Sequence, residues 1–198
     1  MHSGESDQPG LECARLRRNT QTKLRALPLD DYRSESTEII RNLVNWEMIH
    51  NAQTIAAFHP SRTEPQIQTL LQGIANTKTL LLPRVLPGNQ MELVHINDLH
   101  RDLHSATFGL MEPRLVLKGW QGEPPQVILV PGIVFGKGGE RIGHGGGYYD
   151  RFLSKYPNSI TVGVALSCQI QEHPIPQLPH DIRMSYIVSP IGIVKTDA

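Results

Sequence analysis

A run of four apolar residues, Val127-Ile128-Leu129-Val130, leads within a few positions into Gly136-Lys137-Gly138-Gly139-Glu140-Arg141-Ile142-Gly143-His144-Gly145-Gly146-Gly147-Tyr148-Tyr149-Asp150-Arg151. No other stretch constrains the fold as much. A uniformly apolar strand is what a central parallel strand, covered on both faces, requires. The glycines that follow can turn through positive φ and bring backbone N–H groups close to an anion, and a helix from Tyr148 to Tyr156 would aim its positive end at the same point. Open α/β sheets place ligands at such strand, loop and helix junctions, beyond the carboxyl ends of the strands. A mobile surface loop is the plain alternative. The cations Lys137, Arg141 and Arg151, interleaved with the glycines, favour phosphate binding over mere flexibility.

The segment lacks the spacing of the common nucleotide signatures. Walker A requires G-x-x-x-x-G-K followed by Ser or Thr, and the dinucleotide fingerprint requires G-x-G-x-x-G. A different phosphate-binding design is therefore expected.

Upstream, residues 1–10 are polar with Gly and Pro and are expected to form a disordered tail, followed by one domain over 11–198. Leu11 to Ala26 reads as a helix with a basic face, interrupted by Pro28. Asp30 or Asp31 can cap a second helix, in which Ile39, Ile40, Leu43, Val44 and Trp46 recur at helical spacing. Thr54 to Phe58 reads as a strand, Ile67 to Ile74 as a helix and Thr79 to Pro83 as a strand, which makes a β-α-β unit. Met91 to Ile96 is a further strand, and Asn97 to Pro125, with Pro113, Gly119, Pro124 and Pro125, reads as connecting structure. Strands are expected again at Ile160 to Leu166, Ser185 to Ser189 and Ile191 to Val194.

The 198 residues suffice for a core without disulfide or metal staples. Lys and Arg number 19 and Asp and Glu 19, so no overall charge draws the chain toward nucleic acid or an anionic membrane surface. No apolar run approaches the roughly 20 residues that span a bilayer. Cys13 and Cys168 match no metal or disulfide spacing and read as reduced thiols of a cytoplasmic protein. The nine histidines are scattered without ligand spacing. Trp46 reads as core, and Trp120 as a weaker pocket candidate.

The string Arg141, Gly143, Gly145, Gly147, Tyr148, Tyr149, Asp150, in the order R-x-G-x-G-x-G-Y-Y-D, resembles the nucleotide loop of the 5-formyltetrahydrofolate cyclo-ligase family. Supporting landmarks run in order from Leu16-Arg17 through Glu64, Pro83-Arg84-Val85 and Gly109-Leu110-Met111-Glu112-Pro113 to His180-Asp181. The resemblance implies a single three-layer α/β/α domain with a mostly parallel central sheet. It also implies conversion of 5-formyltetrahydrofolate to 5,10-methenyltetrahydrofolate, with ATP as co-substrate, Mg²⁺ as metal, and a monomer acting on small molecules.

By the same resemblance, Arg17, Arg141, Ile142, Gly143, His144, Gly145, Gly146, Gly147, Tyr148 and Tyr149 would hold ATP. Glu64 and His144 through Tyr148 would contact the folate, Arg141 and Tyr149 would act in catalysis, and Asp150 and Asp181 would bind the metal. A carboxylate such as Asp150 favours a helix start but repels phosphate, a conflict that a bridging Mg²⁺ resolves. Three positions differ from the usual pattern: Cys13 stands where a lysine is common, and Gly136 and Ser185 stand where aspartates are common. Two other readings stay open. One is an ATP-dependent ligase or kinase on another small molecule, and the other is a non-catalytic folate- or nucleotide-binding protein.

Overall fold

Seven strands pair into one sheet whose alternating side chains feed two separate apolar layers. The computed structural model describes residues 8–106 and 110–198. In chain order the main elements are α1 (Gln8–Ala26), α2 (Leu29–Val44), α3 (Glu47–Asn51), β1 (Thr54–Ala56), α4 (Gln68–Thr77), β2 (Thr79–Leu86) and β3 (Gln90–Ile96). Next come α5 (Leu99–Asp102), β4 (Leu103–Ser105), β5 (Met111–Pro113), β6 (Val127–Val130), β7 (Val134–Gly136) and β8 (Arg141–Ile142). The chain closes with α6 (Tyr148–Leu153), β9 (Ile160–Val164), β10 (Ile170–Gln171), β11 (Tyr186–Ser189) and β12 (Gly192–Lys195).

The large sheet has the order β12-β11-β9-β6-β1-β2-β3. Its five inner strands are parallel, and β3 and β12 close the edges antiparallel. The central strands obey the period of two. Ile55, Leu80, Leu82, Val127, Leu129, Val162 and Val164 point into one layer, against Leu24 of α1, Ile39 and Leu43 of α2 and Leu71 of α4. Ala56, Leu81, Ile128 and Val130 point the other way, against Phe152 and Leu153 of α6 and against Phe135. Helices on both faces of a mostly parallel sheet make the expected three-layer arrangement.

Several boundaries differ from the sequence reading. Helix α1 begins at Gln8, so three residues assigned to the tail are helical, while residues 1–7 lie outside the described part. Pro28, at φ −56°, takes the cap position of α2, and Asp30 and Asp31 fall in its first turn instead, where they favour the helix dipole without capping it. The stretch from Asn97 to Pro125 is more ordered than its prolines suggest, since it carries α5 and the β4/β5 hairpin. Gly109, one of the resemblance landmarks, lies outside the described residues. Trp46 packs on the first layer, edge-on to Tyr186 at 4.9 Å.

The path from β6 to α6 is also not a plain loop. It contains β7 and β8, which with β10 form a second sheet of order β10-β7-β8. This small sheet has its own apolar cluster of Ile133, Val134, Ile142 and Ile175, and Cys13 and Leu16 of α1 pack on it. The N-terminal helix is thereby fixed beside the glycine segment.

Candidate active site

The chain runs outward from β1 to β2 and β3 on one side, then returns to place β6 on the other side of β1. The carboxyl ends of β1 and β6 therefore diverge and leave a crevice, the switch point where open α/β sheets bind ligands. A cavity of about 170 Å³ lies there. It is lined by Gln21, Leu24 and Arg25 of α1, by Thr63 and Glu64 from the segment after β1, and by Gly132, Ile133 and His144 from the segment after β6.

Arg17 reaches from α1 onto the glycine loop, where its Nε donates to the Gly143 carbonyl at 2.8 Å. Its guanidinium also lies over Gly145, whose φ is +97°. Gly147, at φ +62°, precedes α6 in a left-handed conformation, and a Cβ there would come within 2.7 Å of Arg151 Nη1. Helix α6 has only six residues, fewer than the expected run to Tyr156. A helix this short offers little dipole, so an anion placed here would have to be met by loop N–H groups and arginines.

Arg141 has a side chain only 4% exposed, and its Nη2 donates to Asp150 Oδ1 at 2.9 Å. Its Nε is buried with no partner among the described residues, and its guanidinium lies 5.5 Å from the Tyr149 ring centroid. The Tyr149 phenol is pushed well above its ordinary range, first by burial and then by the charge of Glu64, with Arg141 opposing. Tyr149 is therefore a neutral hydrogen-bond donor at any physiological pH, not a base.

Glu64 combines two tasks. Its Oε2 accepts from the Ser61 backbone N–H at 2.7 Å, the reciprocal turn contact that its spacing allows, and the residue also lines the cavity. Asp150 Oδ1 accepts a second bond from the Ile182 N–H at 3.4 Å, which brings the residue following Asp181 against it. Asp181 Oδ2 accepts from Leu178 N–H at 2.7 Å. Trp120 is not among the residues that line this cavity, and it packs on the same apolar layer as Tyr148 and Tyr149. It packs edge-on against His95 of β3 at 5.8 Å, and its Nε1 donates to the Glu123 carbonyl.

The three unusual positions have local explanations. Cys13 packs against the small apolar cluster, and burial pushes its thiol up, so it stays neutral. The space of a side chain at Gly136 is taken by Glu140, since a Cβ at 136 would lie 2.4 Å from Glu140 Oε2. Ser185 joins Thr161 through its N–H at 3.0 Å and through a hydroxyl contact at 3.2 Å, tying β9 to the segment ahead of β11.

Two residues that sequence reasoning passes over hold the loop. Gln169, wholly buried, donates from Nε2 to the Gly132 carbonyl at 2.6 Å and accepts from the Leu166 N–H at 2.9 Å. Asn89, at the β2/β3 turn, accepts from the Tyr148 hydroxyl at 2.8 Å. Nothing in their local sequence points to the loop, because both act across long separations.

Such a sheet, with a basic glycine-rich loop at its switch point, defines an α/β protein whose candidate site is a crevice lined by α1 and the segments after β1 and β6. A family model described as the 5-formyltetrahydrofolate cyclo-ligase family matches residues 12–190, and the chain belongs to that family. A protein of Haemophilus influenzae named 5-formyltetrahydrofolate cyclo-ligase is 28% identical over 181 residues, covering 87% of this chain and 91% of that protein. The mitochondrial 5-formyltetrahydrofolate cyclo-ligase of Arabidopsis thaliana is 33% identical over 138 residues, 59% of this chain and about half (49%) of that longer protein. The NMR structure of Aquifex aeolicus 5,10-methenyltetrahydrofolate synthetase superposes with a TM-score of 0.83 at 28% identity, covering 94% of this chain and 93% of the other. A Mycoplasma pneumoniae 5,10-methenyltetrahydrofolate synthetase shares the fold, with a TM-score of 0.71 at 18% identity.

Proposed function

We infer that this chain converts 5-formyltetrahydrofolate to 5,10-methenyltetrahydrofolate, consuming ATP and releasing ADP and phosphate. Family membership over residues 12–190 carries this reading. Glu64 and His144 of the glycine loop line one crevice, Arg17 bonds to that loop at Gly143, and Arg141 packs on Tyr149 where the loop ends, an arrangement that supports it.

The formyl oxygen of the substrate is a poor leaving group. Transfer of the ATP γ-phosphoryl group to it releases ADP and leaves an iminium phosphate. The folate N10 then attacks that carbon, the ring closes and phosphate departs with the oxygen. Such transfer rests on positioning and charge neutralisation rather than on a covalent enzyme nucleophile. Backbone N–H groups from Ile142 to Gly147, with Arg17, hold the phosphates. Arg141, held by Asp150, meets the charge that builds on the transferring group, and Tyr149 donates a hydrogen bond as a neutral phenol. Glu64 accepts from pterin N–H groups, and His144 through Tyr148 form the wall shared by the two substrates.

The residues present fit a magnesium ion that keeps phosphate and water as most of its ligands. Asp150 commits Oδ1 to protein donors and keeps Oδ2 without one among the described residues, whereas Asp181 commits Oδ2 to Leu178 and has Oδ1 3.8 Å from His180 Nε2. No group of three or more ligating side chains forms among those residues, so an all-protein cage is not available. Bound there, Mg²⁺ would neutralise phosphate charge.

No described helix is long and apolar enough to cross a membrane. The unpaired thiols Cys13 and Cys168 support a reducing compartment, which we take to be the cytoplasm. A monomer acting on small molecules, without nucleic acid, completes the reading.

The test is the appearance of methenyltetrahydrofolate absorbance when purified protein is mixed with 5-formyltetrahydrofolate and MgATP. Product from the wild type, reduced in Arg17→Gln, is the expected result. Folded protein that binds ATP yet forms no product would sink the reading and point to another acceptor.

A further inference from the structure

The β2/β3 turn lies some 60 residues from the glycine loop in sequence, yet it is bonded to it from two directions. Asn89 Oδ1 accepts from the Tyr148 hydroxyl at 2.8 Å. The Asn89 backbone carbonyl accepts from Arg151 Nη2 at 3.2 Å and Nε at 3.3 Å. Arg151 Nη2 simultaneously donates to the Gly146 carbonyl at 2.6 Å, and its guanidinium lies 5.8 Å from the Tyr148 ring centroid. One arginine therefore joins the turn, the loop and the tyrosine.

Two absent side chains make this possible. A Cβ on Gly146 would meet the Tyr148 ring at 2.7 Å, and one on Gly147 would meet Arg151 at 2.7 Å. Asn89 is itself unusual, as the one non-glycine residue with positive φ among the described residues, at 57°. Asparagine tolerates that conformation better than most residues while still offering a side-chain carbonyl. The turn thus combines the required backbone with the acceptor that Tyr148 uses.

We propose that Asn89 is a positioning residue for the substrate site: it latches Tyr148 and, through Arg151, the Gly145–Gly147 segment in the shape that receives the ligand. This deepens the cyclo-ligase reading and rests on it. Because the Tyr148 hydroxyl is spent on Asn89, Tyr148 contributes to the site through its ring. The latch bonds are solvent-exposed. Each is of the strength that opens and recloses readily, so the latch tunes the loop and does not hold the fold together.

The experiment compares wild type with Asn89→Gly, which tolerates positive φ but lacks the acceptor, and with Asn89→Asp, which keeps both. Tyr148→Phe and the Asn89→Gly/Tyr148→Phe double variant complete a cycle. Expected is a rise in KM of about 3- to 10-fold in Asn89→Gly with kcat nearly unchanged, the factor of one neutral hydrogen bond. Asn89→Asp restores the wild-type KM, and the double variant is no worse than Tyr148→Phe alone. Faster amide hydrogen exchange over residues 143–147 in Asn89→Gly, against unchanged exchange in the large sheet, reads the latch without turnover. If wild type forms no product but exchange in the loop still rises, the cyclo-ligase reading fails and the latch stands. Unchanged KM and unchanged loop exchange in folded Asn89→Gly, or fully additive effects in the cycle, would overturn the latch.

Discussion

Arg141 of β8 and Asp150 of α6 form a partly buried ion pair, Nη2 to Oδ1 at 2.9 Å, that joins the two ends of the glycine loop. The arginine side chain is 4% exposed and the aspartate 15%. Removing one partner of such a pair is costly, because the other charge stays desolvated. Asp150→Ala is expected to lose about 3–5 kcal/mol of stability in urea unfolding, whereas Asp150→Asn, which keeps an acceptor near Nη2, loses less than half of that. Equal losses in the two variants would show that the pair is not the stabilising element. Asn, rather than Ala, is accordingly the substitution for probing Asp150 in turnover.

Tyr149 allows a cleaner separation of chemistry from folding. Its phenol stays protonated because burial and Glu64 both oppose ionisation. Tyr149→Phe should leave the urea midpoint nearly unchanged and lower kcat/KM about 10- to 150-fold, the range of one lost donor to a charged group. The alkaline side of the pH–rate profile below pH 10 should be the same in both proteins. A wild-type limb that vanishes in Tyr149→Phe would mean that the phenol does titrate.

Phe135, wholly buried, occupies space that two glycines leave open. A Cβ on Gly132 would come within 2.6 Å of its Cζ, and one on Gly163 within 2.6 Å of its Cε1. Gly163→Ala should cost about 1–3 kcal/mol by overpacking. Shortening the ring in Phe135→Leu should make the double variant less destabilised than the sum of the singles. Strict additivity in urea unfolding would contradict direct packing.

His59, on the segment after β1, is half-buried with Nδ1 lacking a partner among the described residues. Burial holds its pKa below the ordinary 6.5, against a weaker opposing hydrogen bond to the Pro60 backbone. As pH falls through 6.5 the unfolded chain takes the proton first, so stability declines until the folded histidine also protonates. His59→Leu should flatten that decline on the acid side of about pH 6.5, as read by the urea midpoint at each pH. An unchanged slope would assign it to another group.

Much of this architecture was legible in the order of residues. The apolar run Val127–Val130 became the central strand β6, and Thr54, Thr79 and Ile160 each begin strands where the pattern predicts them. Uniform hydrophobicity and short helices between strands are local signals of a parallel sheet. The hairpin β7/β8 was not legible. Gly136 through Gly139 read as continuous loop, and the small sheet forms only because Phe135 pairs with Ile170 and Arg141, residues brought together by the large sheet.

The sequence by itself determined the sheet, the glycine-rich composition of the loop and the family, because these depend on short-range periodicity and on one contiguous motif. Tertiary structure decided how that motif is held: Arg17 on Gly143, Asp150 on Arg141, Gln169 on Gly132 and Asn89 on Tyr148. In three of these four contacts the partners lie between 37 and 126 positions apart. A bond across such a span depends on where the sheet delivers each element, and neither residue type nor local spacing encodes that.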